Sequence, residues 1–224
     1  MPREGGETRR RIIDTAYEVF YKGGFARAGV DAIAEAAKVT KRTLYYHFDS
    51  KDALLAAVLD AQHELVLARI HRWAKRASGD PAKIVQILFD EFKKWARKPG
   101  WQGSGFTRAT MELADLPGHP ARVAASRHKA AVEGWLAGQF AGGGIRGWRE
   151  LARQVMLLIE GCHSLVLIHG DRGYIDTASA SARLLVSRSR VGCSSVSSAH
   201  STEHKRELTN ELNMRSVSDK SPSH

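Results

Sequence analysis

Residues 38–48, KVTKRTLYYHF, concentrate hydrogen-bond donors within about two helical turns. Lys41 and Arg42 carry long cationic side chains, which can reach O6 and N7 of guanine in the major groove of a DNA duplex. Leu44 and Phe48 are apolar and are predicted to point into the protein. Shorter donors suited to backbone phosphates are present at Thr43, Tyr45 and His47. The run therefore indicates contact with nucleic acid along one face of a helix.

The elements around this run predict a helix-turn-helix. Residues 30–37 form a first short helix, and Thr40 can cap a second that ends near His47, because its hydroxyl can accept a hydrogen bond from a free amide. This spacing presents the N-terminal residues of the second helix to the major groove. Lys51 begins the next helix, where free amides and the positive end of the helix dipole also favour phosphate. Tyr46 fits DNA contact and packing equally well.

The rest of the chain predicts an all-α fold. Apolar residues recur at intervals of three and four, whereas sustained alternation and Asn-Gly turns, which are typical of strands and hairpins, are almost absent. Gly, Pro and capping residues divide the sequence into helices of about 8–22, 30–37, 40–47, 50–73, 81–97, 106–114, 120–140, 147–169 and 174–186. For the fourth helix, either Asp49 or Ser50 is the expected cap.

Composition points to a polyanionic partner and a reducing compartment. The 224 residues have a net charge of +10 and a pI near 9.9, which favour nucleic acid or a membrane surface. Two cysteines, Cys162 and Cys193, give no disulfide framework, and the N-terminus has no apolar segment typical of a signal peptide, so we expect a cytoplasmic protein. The longest apolar run, 155–169, contains Glu160 and His163; we predict that it is a buried helix, too short to cross a membrane.

A helical-bundle enzyme or metal protein is the alternative interpretation. Glu160 and His163 have the i, i+3 spacing of half a di-iron carboxylate site. That chemistry requires a second such pair and two further glutamates on facing helices, and no second pair is visible in the sequence of the bundle. We therefore predict no catalytic residue, no metal and no cofactor.

Residues 8–59 resemble the N-terminal domain of the tetracycline-repressor-like (TetR/AcrR) regulators. The resemblance is carried by Arg-x-x-Ile in the first helix, Gly-Phe after it, Ile-Ala-x-x-Ala, Val-x-x-x-Thr-Leu-Tyr-x-His-Phe and Lys-x-x-Leu. Two positions depart from the family pattern. Ala28 and Gly29 replace the usual capping Thr or Ser of the second helix, and Lys38 replaces the usual Gly of the turn.

The resemblance implies a repressor that binds a palindromic DNA operator as a homodimer and is released by a small hydrophobic effector. The expected DNA contacts are Gly29, Lys38, Thr40, Lys41, Arg42, Thr43, Tyr45, His47 and Lys51. The candidate effector-binding residues are Trp95, Trp101, Phe106, Met111, Trp135, Met156, Glu160 and His163. The predicted seam between two copies, formed by the last two helices, contains Leu151, Leu158, Cys162, Leu165, Ala178 and Ala182.

These expectations divide the chain into three parts. Residues 1–50 are the predicted DNA-binding domain, with the helix-turn-helix at about 30–48, and residues 51–190 are the predicted effector-binding and dimerisation domain. Residues 191–224 are rich in Ser and poor in large apolar residues, so we interpret them as a disordered tail with a weak helix near 206–214. For the aromatic residues and Glu160, the alternative is that they only fill a core, with Glu160 paired to an arginine or to His163.

Overall fold

A computed structural model of the chain describes residues 2–191. Within this range the chain is all-α, as predicted, and has no strand. The helices are α1 (Pro2–Gly23), α2 (Val30–Ala36), α3 (Lys41–His47), α4 (Lys51–Ala74), α5 (Pro81–Ala96), α6 (Gly105–Glu112), α7 (Pro120–Gly142), α8 (Trp148–His169) and α9 (Gly173–Val191). A short 3-10 turn, Lys75–Ala77, extends α4. The predicted tail beyond residue 191, including Cys193, lies outside the described residues.

Local capping signals fix most of the helix starts. The side chain of Thr40 accepts a hydrogen bond from the Thr43 amide, and Ser50, rather than Asp49, caps α4. Asp80 caps α5 ahead of Pro81, which fits the first turn because it needs no amide partner. Helix α1 begins at Pro2, well before the start predicted near Thr8.

Two hydrophobic cores share α4. The first joins α1, α2, α3 and the N-terminal half of α4, and it also takes in Ala109 of α6 and Ala121 of α7. The second joins the C-terminal half of α4, from Ile70, with α5, α7, α8 and α9. Val66 packs against both cores. The proposed domain boundary at residue 50 stays a prediction, since the first core continues into α6 and α7.

Helix α8 is longer than the apolar run 155–169 of the sequence. At 22 residues the whole helix is long and apolar enough, by length and composition, to cross a membrane, although the apolar run 155–169 from which it was predicted is shorter. The same composition is typical of a core helix, and α8 packs against α7 and α9. Only 39% of its most apolar window is buried, however, which leaves one side of the helix uncovered by the described residues.

Candidate nucleic-acid interface and interior cavity

Helix α3 is held on the protein by its apolar side. Leu44 has no exposed surface and Phe48 is 5% exposed, and both belong to the first core. The backbone at Lys38, between α2 and α3, has a φ of 53°, so a non-Gly residue occupies the left-handed turn where the family usually has Gly. Its amide donates to the carbonyl of Glu35 at 3.0 Å, which stabilises the turn.

The opposite side of α3 presents donors to solvent. Lys41 and Arg42 are exposed, and the rings of Tyr45 and Tyr46 are 48% and 84% exposed. His47 is half-buried, with its ring centroid 5.1 Å from that of Tyr46. The structure therefore brings four of the longest donors of this run together on one accessible surface.

Two of the predicted contact residues, Thr40 and Thr43, have hydroxyl groups that stabilise the fold, whereas Gly29 stays open. The Thr40 and Thr43 hydroxyl oxygens lie 2.9 Å apart, and Thr40 also caps α3, so both hydroxyls are occupied within the helix. Gly29 is the N-cap of α2 and supplies no side-chain hydrogen bond. An added Cβ at this glycine would meet nothing, so its position is open to an approaching partner.

Two of the lysines already have partners in the protein. The Lys41 ammonium lies 2.7 Å from Asp31 Oδ1 of α2, and the hydrogen bond with Asp31 raises the pKa of Lys41. Lys51 Nζ donates to the carbonyl of Ala26 at 2.6 Å, which fixes the start of α4 against the loop before α2. Sequence reasoning missed Asp31, although its position in the first turn of α2 is a recognisable signal.

A cavity of about 170 Å³ lies among α4, α5, α7 and α8. Its wall contains six of the eight candidate effector-binding residues: Trp95, Phe106, Trp135, Met156, Glu160 and His163. Trp101 does not line the cavity, because it stands behind the wall with its ring centroid 5.6 Å from that of Trp95. Met111 is 63% exposed on the solvent side of α6, where it lines a separate surface groove. These two assignments are therefore corrected.

Glu160 is the centre of a polar cluster in this wall. Its carboxylate accepts hydrogen bonds from the Lys129 ammonium at 2.5 Å and from the Thr107 hydroxyl at 2.7 Å. Burial acts to raise the pKa of the Glu160 carboxyl, but His163 and Lys129 outweigh it and hold the pKa well below its usual range. Glu160 therefore pairs with Lys129 and Thr107 instead of an arginine, and His163, the other partner that the core-filling interpretation named, has its Nδ1 3.5 Å from Glu160 Oε1.

His163, unlike Glu160, has a polar atom without a hydrogen-bond partner. It is 9% exposed, and its Nδ1 atom has no hydrogen-bond partner, the nearest acceptor being Glu160 Oε1 at 3.5 Å. Burial lowers the pKa of His163, so the ring is neutral at pH 7. Among the described residues, no group of three or more His, Cys, Asp or Glu side chains has an arrangement that could hold a metal ion.

Comparisons with known proteins agree with the α2–α3 unit and with the all-α fold. The family model described as "Bacterial regulatory proteins, tetR family" matches residues 12–58, which contain α2, α3 and the start of α4. A TetR-family transcriptional regulator from Streptomyces coelicolor superposes with a TM-score of 0.74 at 26% identity, over 82% of this chain and 96% of that one. Residues 12–58 therefore match the DNA-binding domain of the TetR family.

Curated relatives match this chain over less than a third of its length. The regulator TtgR of Pseudomonas putida is 48% identical over 61 residues, which are 27% of this chain and 29% of that protein. The regulator UidR of Escherichia coli (strain K12) is 41% identical over 69 residues, 31% of this chain and 35% of that protein. The alignments thus span about a third of these relatives. The reduced form of Escherichia coli NemR, with a TM-score of 0.73 at 19% identity, shares the fold.

The predicted dimer seam lies largely inside the protein's own core. Ala182 has no exposed surface, and the exposures of Leu151, Cys162 and Ala178 are 2%, 3% and 6%. Leu158 and Leu165 are half-buried. The seam spacing marks the side of α8 that packs on α9 and the second core. The assignment of the four buried residues to contacts between copies is therefore corrected.

The uncovered side of α8 and α9 forms a second surface. On α8, Leu157 and Ile168 are 69% and 70% exposed, and Gly161 and Ser164 lie between them at steps of four, three and four residues. On α9, the exposed residues on one side are Thr177, Ala180 and Leu184. We call these seven residues the α8–α9 face; it combines large apolar and small residues.

Histidines on α4 and α7 are a feature that sequence reasoning missed. His128 lines the cavity, stacks on Phe106 with centroids 3.7 Å apart, and has its Nδ1 3.1 Å from Nδ1 of His63. Burial, followed by the charge of Lys129, lowers the pKa of His128 to about 3. The two histidines are far apart in sequence, so no local spacing reveals this contact.

Proposed function

We propose that this chain is a DNA-binding transcriptional regulator. The observation that carries the proposal is the α2–α3 unit, in which buried Leu44 and Phe48 hold α3 while Lys41, Arg42 and Tyr45 stay exposed. A short helix anchored on one side and cationic at its N-terminal end suits the major groove. The net charge of +10 favours the same partner.

Within the contact set, we assign different roles to long and short donors. Arg42 is exposed and has no ion-pair partner among the described residues, so it is the best candidate for reading a guanine. Lys51, at the first turn of α4, suits a phosphate. Gly29, Lys38, Tyr45 and His47 complete the surface around them, and Thr40 and Thr43 act first as the cap of α3.

The regulator is further proposed to be a cytoplasmic homodimer that acts as a repressor. The α8–α9 face supports dimerisation, because exposed leucine and isoleucine side chains interspersed with Gly, Ser and Ala allow two helix pairs to pack closely. A two-fold dimer binds a palindromic operator whose half-sites lie about one helical turn, roughly 34–36 Å, apart.

Release by a small hydrophobic effector follows from the cavity. Its wall is mostly apolar, with a few polar groups, as in small-molecule sites generally. Helix α4 contributes Ile70 and Trp73 to this wall and Lys51 to the proposed DNA surface, so its tilt is the natural two-state element. A ligand releases DNA only if it binds better to the dimer whose recognition helices are misplaced.

Selection of bound duplexes from a random pool tests the DNA proposal. We expect a palindromic consensus, and we expect Arg42→Ala to cost about 1–3 kcal/mol and to relax one position of that consensus. Lys51→Ala should weaken all duplexes alike and lower the slope of log affinity against log salt by about one, because one phosphate is then no longer neutralised. Lys75→Ala, at the other end of α4, is the matched control. An Arg42→Ala variant with an unchanged consensus would refute the base-reading role.

A further inference from the structure

The size of the cavity limits its occupant to about one ring. Its volume of about 170 Å³ is close to the roughly 150 Å³ of an apolar cavity that takes up benzene. Flat side chains surround the space next to α8: the ring of His163 has its centroid 4.6 Å from that of Phe92 and 5.8 Å from that of Trp95. A planar ligand fits such a wall better than a branched aliphatic one, because aromatic rings stack or pack edge to face.

Two charged groups of the cavity wall, Lys129 and Glu91, are already paired within the protein. Lys129 bonds Glu160, and the carboxylate of Glu91 bonds Arg76 and Lys94, so neither group is free to receive an ion. Arg69 lines the cavity but is exposed to solvent at its edge. A cationic ligand would have to separate one of these pairs or lose its own water without replacement, and an anionic ligand would have to pair with Arg69, which is exposed to solvent. A neutral ligand has neither cost.

Nδ1 of His163 is a buried polar atom of this wall without a hydrogen-bond partner. A neutral imidazole has one donor and one acceptor nitrogen. Nδ1 faces the Glu160 carboxylate at 3.5 Å, and a negative oxygen at this position favours the tautomer that carries its proton on Nδ1. The other nitrogen, Nε2, is then the acceptor. His163 lines the cavity, so a ligand hydroxyl that donates to Nε2 would give this acceptor a hydrogen-bond partner.

We propose that the effector is a neutral, single-ring aromatic molecule with a hydroxyl group, a simple phenol, whose O–H donates to His163. The inference rests on the proposed effector-binding function of the cavity and specifies its ligand class. The apolar ring fills the space beside Phe92 and Trp95, and the hydroxyl defines the orientation of the ring.

Four probes of similar size separate the contributions of a hydrogen-bond donor, an acceptor and a negative charge to binding. p-Cresol has a donor, 4-methylanisole has an acceptor only, toluene has neither, and 4-methylbenzoate is an anion. Titration of the full chain, followed by tryptophan fluorescence, should give p-cresol roughly tenfold tighter binding than 4-methylanisole, since an unpaired buried acceptor is costly. 4-Methylbenzoate should bind most weakly. Equal affinities for all four probes, or tightest binding of 4-methylbenzoate, would overturn the proposal.

Variants of His163 show whether this residue causes the preference. His163→Phe should bind p-cresol and 4-methylanisole equally, whereas His163→Gln, which keeps an acceptor, should retain part of the preference. Met111→Ala, outside the cavity, is the control and should behave like the unmodified chain. If His163→Phe retained the full preference, the assigned acceptor would be wrong, and the folded state of each variant is checked by circular dichroism.

DNA binding measured on the same samples separates this inference from the proposed function. Saturating p-cresol should weaken operator binding. Binding of DNA without binding of any probe would overturn the phenol class and leave the DNA-binding role in place. Selective binding of p-cresol by a chain that binds no duplex would support the phenol class and overturn the DNA-binding role.

Discussion

His128 should make the folded chain lose stability in mild acid. Burial, with the nearby charges of Lys129 and His63, lowers the pKa of His128 from 6.5 to about 3. The unfolded chain therefore takes up a proton at His128 as the pH falls below about 6.5, whereas the folded chain stays neutral there until about pH 3. Neutral His128 therefore makes its full contribution to the free energy of unfolding above pH 6.5, and this contribution is lost as the pH decreases toward 3.

The size of the effect follows from that interval. Each pH unit between the two pKa values costs about 1.4 kcal/mol, so the free energy of unfolding should fall by about 2 kcal/mol between pH 7.5 and pH 5. Burial lowers the pKa of His163 too, which adds a loss of the same sign. The depressed pKa of Glu160 acts below about pH 4.5, where that carboxylate becomes protonated in the unfolded chain, and so lies outside this range.

Urea denaturation at pH 7.5 and pH 5.0 measures this loss directly. His128→Gln should reduce the difference between the two pH values by about 2 kcal/mol, whatever the variant costs at either pH, because glutamine does not titrate. His169→Gln is the matched control, since its ring is exposed at the end of α8 and is solvated in both states. A His128→Gln chain with the same pH dependence as the unmodified chain would show that His128 is not buried in its neutral form.

Three further predictions concern the two surfaces. Leu157→Glu should convert a dimer into a monomer in light scattering, whereas Val123→Glu should not, since Val123 is an apolar, 58% exposed residue on α7, outside the α8–α9 face. A monomer for both variants or for neither would reject the α8–α9 face. Thr40→Ala should destabilise α3 by about 1 kcal/mol and weaken binding to every duplex, and Thr40→Ser should not, as measured by fluorescence anisotropy. Asp31→Asn should tighten DNA binding at low salt by freeing Lys41 and removing a negative charge, an effect that added salt should remove.

The fold could be predicted closely because its signals are local. The caps Thr40 and Asp80 and the glycine at 170 each act within a few residues, and the structure has a helix boundary at each of them. The predicted start of α1 is misplaced because Gly5 and Gly6 have low helix propensity and favour a later start. Helix propensity is a weak guide to where a helix begins, because contacts with neighbouring residues can override it.

The candidate sites could be predicted less completely because they depend on contacts between distant segments. Periodicity shows that Leu151, Leu158 and Leu165 share a side of α8, but it does not show whether α9 or another copy covers that side. The polar groups of α8 that need partners are visible in the sequence. The partners of Glu160, which are Lys129 and Thr107, lie 31 and 53 residues away, and no local pattern connects them.

Helix α4 connects these distant contacts to the proposed function. Leu54 and Leu59 are fully buried in the first core, Ile70 is buried in the second, and Val66 lies between them against both. Cores of this density do not deform continuously, so a ligand that changes the packing around Ile70 has to move α4 as a whole or not at all. If α4 has two positions of different DNA affinity, operator DNA must weaken effector binding by the same factor by which effector weakens DNA binding. A loss of DNA affinity that levels off at saturating effector is expected for a shared α4 equilibrium, whereas an effector that competes for the DNA surface would weaken DNA binding further with every increase in its concentration.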